Sequence, residues 1–176
     1  MDKNNKTFIT AMTAMMTAVI VCLSWVSIPM PWGVPMTLGV FAVSLAGYIA
    51  GSVGGIAAVV IYLAIGAVGA PVFAGFAGGI GQFFTPVGGF LFGYLPLAAF
   101  SGFGRKSKRV LPCILYGLAG LVLCHLLGVV FFAFVTERGI PEALLLASLP
   151  YIIKDVMLVT AASFMSRAVL IRIKGR

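Results

Sequence analysis

The sequence predicts an all-α integral membrane protein, built as a bundle of six transmembrane helices. Hydrophobic residues make up 61% of its 176 residues and charged residues only 9%, whereas a soluble domain carries about 25% charged residues because its surface faces water. Apolar runs of roughly the 17–25 residues that a bilayer crossing needs recur along the chain. The length leaves no room for a separate soluble catalytic unit, so we expect one transmembrane domain over residues 1–176.

Breaks in the hydrophobic pattern divide the chain into six predicted spans. The breaks are Pro- and Gly-rich clusters, which interrupt helices, and basic runs, which mark membrane surfaces. The predicted spans are residues 8–28, 37–50, 56–70, 89–103, 110–135 and 144–170. The second span is short for a full crossing, and the sequence GSVGG at 51–55 separates it from the third.

The positions of the basic residues predict the orientation of the chain. Ten of the twelve lie in four short groups at the ends of apolar runs, and cytoplasmic loops carry an excess of Lys and Arg. Six crossings from a cytoplasmic N-terminus place the RKSKR run at 105–109 and the C-terminus in the cytoplasm as well. We therefore expect a plasma-membrane protein with both termini inside. The net charge of +8 then reflects topology and contact with lipid headgroups rather than a nucleic-acid partner.

One uncharged segment, residues 71–89, is the first candidate for a functional site. It is rich in Gly and Pro and carries four Phe residues, although an exposed linker of this length would be polar. Backbone outside helices survives at membrane depth only within protein or beside a cavity. We expect a lid or wall over an extracellular-facing pocket, since Gln82 and Thr85 are not needed in a plain plug. The alternative is a re-entrant cap that only closes the bundle.

The second candidate is a charged pair in the last predicted span. Lys154 and Asp155 lie just inside its extracellular end, and Tyr151 shares a helix face with Asp155 at a spacing of i, i+4. A charge in the middle of a membrane costs about 2.5–3.5 kcal/mol, so ionisable residues in spans usually mark sites or pathways. The alternative is that Lys154 reaches the interface and Asp155 only pairs with it.

Neither the single histidine nor the motifs of the sequence indicate an enzyme. His125, the only histidine, lies alone in the middle of an apolar span with no carboxylate near it in sequence, so we expect a packed, hydrogen-bonded side chain and no metal site. The sequence contains no HExxH, no GxSxG and no P-loop. We therefore expect a protein that is not an enzyme and that holds no cofactor.

Small residues recur at the spacing that lets transmembrane helices approach closely. Three glycine pairs are expected to pack the bundle: Gly47 with Gly51, Gly75 with Gly79, and Gly89 with Gly93. In the first span, Ala14 and Ala18 form a similar stripe near the cytoplasmic end. The stripe either packs inside the bundle or docks a helix of a partner protein, and spacing alone favours internal packing.

Three stretches of the chain form a recognisable pattern: GVPMTLGVFAVSLAG at 33–47, YLAIGAVGAPVFAGFAGGIGQFFTPVGGFLFGY at 62–94 and LPYIIKDVMLV at 149–159. Together they resemble the BioY family, the biotin-specific substrate-binding (S) components of energy-coupling factor (ECF) transporters. The motifs VPMT, GAVGAPVFAG, PVGGF and PYIIKD follow one another in the family's order. The resemblance covers most of the chain and is strongest over residues 62–94.

The resemblance implies a six-helix bundle of the ECF S-component type that takes up biotin from outside the cell. A transmembrane coupling subunit and two ATPase subunits would supply the energy, which is consistent with the missing P-loop. The stripe of Ala14 and Ala18 matches the family's AxxxA pattern on the first helix, so the resemblance favours docking of the coupling subunit. Biotin would be the ligand and ATP would be hydrolysed by the partners.

Biotin has an apolar bicyclic ring system, a ureido edge with two N–H donors and a carboxylate tail. The resemblance implies that Asp155 accepts the ureido N–H bonds, while Lys154 pairs with the carboxylate or anchors Asp155. The remaining candidate contacts are ring or neutral polar groups: Phe73, Phe76, Tyr151, Gln82 and Thr85.

The chain departs from the family pattern in two motifs. It reads PVGGF at 86–90 where many members read PTGGY, and it places Lys154 before the aspartate where many members carry a lysine three positions after it. These departures keep an S component for another vitamin as an alternative. A stand-alone facilitator is a further alternative, although the cytoplasmic half offers almost no polar lining for a path. An intramembrane enzyme has the least support.

Overall fold

The computed structural model describes residues 3–107 and 109–174, and these form a bundle of α-helices. The helices are α1 Lys3–Trp25, α2 Gly39–Ala67, α3 Gly88–Gly104, α4 Val110–Thr136, α5 Ile140–Ala147 and α6 Leu149–Lys174. Two short strands, β1 Ser27–Ile28 and β2 Met36–Thr37, pair antiparallel between α1 and α2. Two 3-10 helices, Ala74–Phe76 and Ile80–Phe84, lie between α2 and α3.

Helix α2 is a hairpin of two arms rather than one straight rod. Its backbone breaks at Gly51, where φ is 79° and ψ is 177°, a conformation that is accessible essentially only to glycine. A Cβ atom on Gly55 would lie 2.8 Å from the Cα atom of Gly47, although eight residues of a straight helix rise about 12 Å. Val40 and Tyr62 would lie about 33 Å apart along a straight helix, yet both line the same cavity. The chain therefore reverses at Gly51, and the two arms supply two of the six helical passes.

The glycine pairs show how closely the passes approach one another. Gly47 packs on α3, where a Cβ atom would lie 2.4 Å from the carbonyl oxygen of Ala98. Gly93 packs on α4 in the same way, with Cys124 as its neighbour. The prediction that these pairs pack helices is wrong for Gly75 and Gly79, which have positive φ and no atom within 4 Å of an added Cβ. Those two glycines shape a loop instead.

The observed helices agree with the predicted spans in the middle of the chain and differ at its ends. α3 and α4 each lie within one residue of the predicted spans 89–103 and 110–135. The predicted span 8–28 is wrong at its end, since α1 stops at Trp25 and the breaker-rich segment that follows closes into the β1–β2 hairpin. The chain resumes α2 at Gly39, two residues after the predicted start at 37.

The predicted last span, 144–170, is not one straight helix. Its first residues belong to the short helix α5, and α5 and α6 are bent by 50° relative to each other. Pro150 lies in the first turn of α6, a position where its missing N–H is tolerated, so a new helix begins here instead of continuing α5. The predicted break GSVGG at 51–55 is shorter in the structure. α2 leaves helical geometry only at Gly51, and Gly54 and Gly55 are helical.

Length and apolarity agree with a membrane protein. Among the described residues, α4 is long and apolar enough to cross a bilayer, the bent pair of α5 and α6 passes the same test as a unit, and α2 passes it when its two arms are counted together. The apolar part of α1, Ile9–Trp25, and α3 are shorter, at the lower limit of a crossing. Many large side chains on the outside of the bundle are apolar and exposed, among them Phe134 at 81% and Met157 at 66%.

The bundle has two unlike ends, which we name by their contents. The pocket end holds the end of α1, the β1–β2 hairpin, the loop between α2 and α3, and the break between α5 and α6. The arginine end holds the turn at Gly51 and the α3–α4 connection, with Arg105 and Arg167. Both candidate sites from the sequence lie at the pocket end.

Candidate functional site

A cavity of about 420 Å³ opens at the pocket end, within the range of small-molecule sites. Its walls come from the end of α1, the β1–β2 hairpin, both arms of α2, the α2–α3 loop, α3 and α6. The lining is mostly apolar and aromatic, with few polar groups. The aromatic lining residues are Tyr62, Phe73, Phe90, Tyr94 and Tyr151, and the polar ones are Ser24, Thr37, Gln82, Thr85, Lys154 and Asp155.

The structure brings six of the seven predicted ligand contacts together around this cavity. They are Asp155, Lys154, Tyr151, Gln82, Phe73 and Thr85. The seventh, Phe76, does not line it. Its side chain is 62% exposed and its ring lies 5.2 Å from the ring of Trp25, so it anchors the loop to α1.

Asp155 is the buried charge of the site, with only 3% of its surface exposed. Its Oδ1 atom lies 2.8 Å from Nζ of Lys154, and its Oδ2 atom lies 3.3 Å from Nε2 of His125. Within the described residues Oδ1 accepts no hydrogen bond of good geometry, despite the nearby ammonium. A buried carboxylate oxygen with remaining acceptor capacity, at the wall of a cavity, suits a ligand that carries N–H groups.

His125 is buried and hydrogen-bonded, as the sequence predicts, but the expectation that it has no carboxylate near it is wrong. Its Nδ1 atom lies 2.9 Å from the hydroxyl oxygen of Ser148, and its Nε2 atom faces Asp155. Because a carboxylate only accepts hydrogen bonds, Nε2 is placed to act as the donor of this contact. The contact joins α4 to α6 between residues far apart in sequence, which is why the local pattern gives no sign of it.

Two other side chains of α6 tie the β1–β2 hairpin to the cavity. The hydroxyl of Tyr151 donates to the carbonyl oxygen of Val34 and accepts a 2.8 Å bond from the indole N–H of Trp32. Nζ of Lys154 donates to the carbonyl oxygen of Thr37 at 2.8 Å. Lys154 therefore bridges Asp155 and the hairpin and is only half-buried, which leaves its charge within reach of the cavity.

The loop of residues 68–87 forms another wall of the cavity. This agrees with the predicted wall over a pocket and not with a cap that only closes the bundle. Phe73 is 3% exposed, and its ring fills the space above Gly66, where a Cβ atom would lie 2.0 Å from Cζ. The ring also meets Tyr62 edge-on at 5.3 Å. The indole N–H of Trp25 donates to the carbonyl oxygen of Pro71 at 2.8 Å, which fixes the loop to α1.

The two neutral polar candidates of the loop differ in what they can offer a ligand. The hydroxyl of Thr85 donates to the carbonyl oxygen of Gln82 at 2.7 Å, so it closes the 3-10 turn and has only acceptor capacity left. The half-buried side-chain amide of Gln82 lines the cavity. Gln82 can therefore both donate and accept, whereas Thr85 can only accept.

Sequence reasoning missed several wall residues, because nothing in their local pattern distinguishes them from packing residues. Tyr62 and Tyr94 come from two different passes and look like ordinary aromatic residues of apolar spans. The hydroxyl of Tyr62 bonds to Ser24 at 3.2 Å, so both lie at the cavity wall with their polar groups paired. Val34 lies in the breaker-rich segment, whose hairpin structure the sequence did not reveal.

The Ala14 and Ala18 stripe lies on the outer surface of α1. Both alanines are exposed, while the inward face of the same helix is formed by residues such as Met16 and Ile20. Internal packing, which spacing alone favoured, is therefore wrong for these two residues. An exposed small-residue stripe in a membrane helix permits close approach of another helix.

Comparison with known proteins identifies the family. A family model described as the BioY family matches residues 1–175. The chain is 41% identical over 126 residues to a probable biotin transporter BioY of Pyrococcus horikoshii, covering 70% of this chain and 73% of the relative. It is 36% identical over 151 residues to a biotin transporter BioY of Thermotoga maritima, covering 85% of this chain and 88% of the relative.

A solved structure matches the whole bundle. It is a crystal structure at 2.1 Å of the S-component for biotin from an ECF-type ABC transporter, with a TM-score of 0.88 and 25% sequence identity. The match covers 96% of this chain and 94% of the solved chain. It confirms the predicted fold class, a six-helix membrane bundle of the ECF S-component type. The relatives are transporters by name, in agreement with the prediction that the chain is not an enzyme. From the family model and the curated relatives together, the chain belongs to the BioY family.

Proposed function

We propose that the chain is the biotin-binding S component of an ECF-type uptake transporter. The observation that carries the proposal is the cavity at the pocket end, where an apolar, aromatic wall surrounds one buried carboxylate and one ammonium. Relatives that cover most of the chain are named biotin transporters, which supports biotin as the ligand. Biotin offers the matching groups: an apolar bicycle, a ureido edge and a carboxylate.

In the proposed complex, Asp155 accepts N–H bonds from the ureido edge. Its Oδ1 atom has acceptor capacity left, and a charge-assisted bond in a buried site is stronger than a neutral one. The rings of Phe73 and Tyr151 pack on the bicycle, with Gln82 and Thr85 as neutral polar contacts. Lys154 pairs with the carboxylate tail. Its hydrogen bond to the carbonyl oxygen of Thr37 holds the β1–β2 hairpin in place.

The orientation that we propose puts the pocket end outside the cell and the arginine end in the cytoplasm. The basic residues support it, since Arg105, which begins the RKSKR run, and Arg167 both lie at the arginine end. Both termini are then cytoplasmic, and the cavity opens to the side from which biotin arrives.

Transport needs an energy source that this chain does not supply, because its sequence has no nucleotide-binding motif. We propose that a transmembrane coupling subunit docks on the exposed Ala14 and Ala18 stripe, and that two ATPase subunits drive release inside the cell. The matching crystal structure is that of a component of an ECF-type ABC transporter, which supports partners of this class.

Uptake of labelled biotin into vesicles tests the transport role. We expect ATP-dependent accumulation when the chain is reconstituted with an ECF module, and none when an ATPase-dead module is used. Accumulation at the same rate without the module would favour a stand-alone facilitator. Uptake of a different vitamin in place of biotin would favour an S component for that vitamin.

A further inference from the structure

A second cavity, of about 260 Å³, lies at the arginine end of the bundle, far from the proposed biotin site. Its walls come from the first arm of α2, the α3–α4 connection, the start of α4 and the end of α6. The side chains of Arg105 and Arg167 line it together with those of Tyr48, Ser107 and Ser166. The proposed binding of biotin makes no use of this cavity.

The polar groups of this cavity favour an anion. The hydroxyls of Ser107 and Ser166 donate to backbone carbonyl oxygens, at 3.3 and 2.8 Å, and the hydroxyl of Tyr48 donates to the carbonyl oxygen of Cys113 at 3.1 Å. Among the described lining residues, the two guanidinium groups supply the positive charge for a ligand. No carboxylate lines the cavity, and the described acidic residues all lie at the pocket end.

The two arginines differ in how firmly the fold holds them. Arg167 donates to the carbonyl oxygens of Ser107 and Arg109, so it is fixed against the α3–α4 connection. Arg105 lies at the break in α2, with its Nη1 atom 3.2 Å from the position of a Cβ on Gly51. Among the described residues, Arg105 has no hydrogen bond or ion pair to a protein group, and its side chain is exposed. The fold therefore holds the Arg167 guanidinium in place and leaves the Arg105 guanidinium open to a ligand. Guanidinium groups suit phosphate oxygens, which they can bind with two parallel hydrogen bonds.

An apolar surface adjoins the charged part of the cavity. Cys113, Leu170 and Ile171 complete the lining, and Ile171 is 73% exposed on the outside of α6. A free phosphate ion would make no use of this surface, whereas the acyl chains of a phospholipid would cover it. Basic pockets between membrane helices on the cytoplasmic side bind anionic lipid headgroups for this reason.

We propose that Arg105 and Arg167 form a binding site for the headgroup of an anionic phospholipid. The headgroup phosphate lies between the two guanidinium groups, and the acyl chains run along the outer face of α6. Bound there, the lipid bridges α2, the α3–α4 connection and α6, and so stabilises the arginine end of the bundle.

The test measures binding of phosphatidylglycerol to the full chain purified in mild detergent, by native mass spectrometry and by the shift in melting temperature. We expect saturable binding of phosphatidylglycerol that exceeds binding of phosphatidylcholine. Arg105→Gln should weaken it about fivefold, the typical contribution of one basic residue near an anionic surface, and Arg105→Gln with Arg167→Gln should weaken it further. The matched control is Arg172→Gln, which removes the same charge from the same end but not from the cavity lining.

Three results would overturn the proposal. One is equal binding of phosphatidylcholine and phosphatidylglycerol, and another is unchanged phosphatidylglycerol affinity in the Arg105→Gln variant. The third is stabilisation by inorganic phosphate alone that equals the effect of the lipid, which would make this a site for free anions. Biotin binding, measured on the same samples, shows that each variant is folded, and it keeps a failure here distinct from a failure of the proposed function.

Discussion

At the scale of single residues, recognition depends most on Asp155, the one buried carboxylate among the described residues. Asp155→Asn keeps the shape of the side chain but replaces a charged acceptor by a neutral amide. Hydrogen bonds to charged groups contribute about 1.5–3 kcal/mol, so we expect biotin affinity to fall at least about tenfold. Calorimetric titration of the purified variant measures this.

The control for this variant is Glu142→Gln, which removes an exposed carboxylate from the same end of the bundle. Glu142 pairs with Arg138 on the surface, away from the cavity. Affinity in this control should match the unaltered protein. Near-normal affinity in purified Asp155→Asn would exclude Asp155 as the acceptor of the ureido N–H groups.

His125 is expected to act through Asp155, as a positioning residue that does not touch the ligand. It does not line the cavity, but its Nε2 atom holds Oδ2 of Asp155 and its Nδ1 atom reaches Ser148 at the α5–α6 break. His125→Leu should weaken biotin binding about tenfold, because Asp155 then loses its polar contact with Nε2 in a buried site. His125→Gln, whose amide N–H2 can replace Nε2, should keep most of the affinity.

The ratio of the biotin affinities of these two variants distinguishes a positioning role of His125 from a packing role. The contact of His125 with Asp155 has no role in binding if the two variants lose biotin affinity by the same factor, or if His125→Leu binds biotin normally. A melting temperature recorded for each variant shows how much of the change arises from stability.

At the scale of elements, the reversal of α2 depends on Gly51. Its backbone conformation strains any other residue by about 1–3 kcal/mol, so Gly51→Ala should lower the free energy of unfolding by about that amount. The control is Gly81→Ala, in a helical turn with open space around an added Cβ and no positive φ. Thermal unfolding in detergent compares the two, and equal melting temperatures would show that the reversal does not need glycine.

The elements also show where sequence patterns suffice and where they do not. α3 and α4 could be predicted closely, because an apolar run between basic or glycine-rich breakers fixes both ends of a helix. The α5–α6 break could not, because the apolar pattern of residues 144–170 continues through it without a charge, and Pro150 in the first turn of α6 is a weak local sign of a bend of 50°.

The candidate site was predictable to the extent that its residues are unusual for a membrane span. Lys154 and Asp155 are conspicuous because charge is costly in lipid, and the α2–α3 loop because it is uncharged yet rich in glycine. Tyr62, Tyr94 and His125 became recognisable only when the passes were placed side by side. Their place at the site depends on which helices are neighbours, and the local sequence around each residue does not specify this.

At the scale of the whole molecule, binding and transport should be separable, since the cavity and the Ala14 and Ala18 stripe use different surfaces. Ala14→Leu with Ala18→Leu fills the stripe and prevents close approach of a partner helix. We expect biotin affinity to stay unchanged and ATP-dependent uptake with the ECF module to fall by about tenfold or more. Uptake and binding are measured on the same preparation.

Ala161→Leu is the control for the stripe, because Ala161 is an exposed alanine on α6 rather than on α1. It should leave both uptake and binding unchanged. Normal uptake in the double variant would show that the coupling subunit docks elsewhere on the chain.

Titration of the detergent-purified chain tests most directly whether the cavity at the pocket end binds biotin. Calorimetry with biotin, and in parallel with thiamine and riboflavin as other vitamins, reports affinity and stoichiometry together. We predict saturable binding of one biotin per chain, no measurable binding of the other two, and biotin affinity at least about tenfold lower in Asp155→Asn. Absence of biotin binding by the folded protein, or tighter binding of another vitamin, would contradict the proposed function.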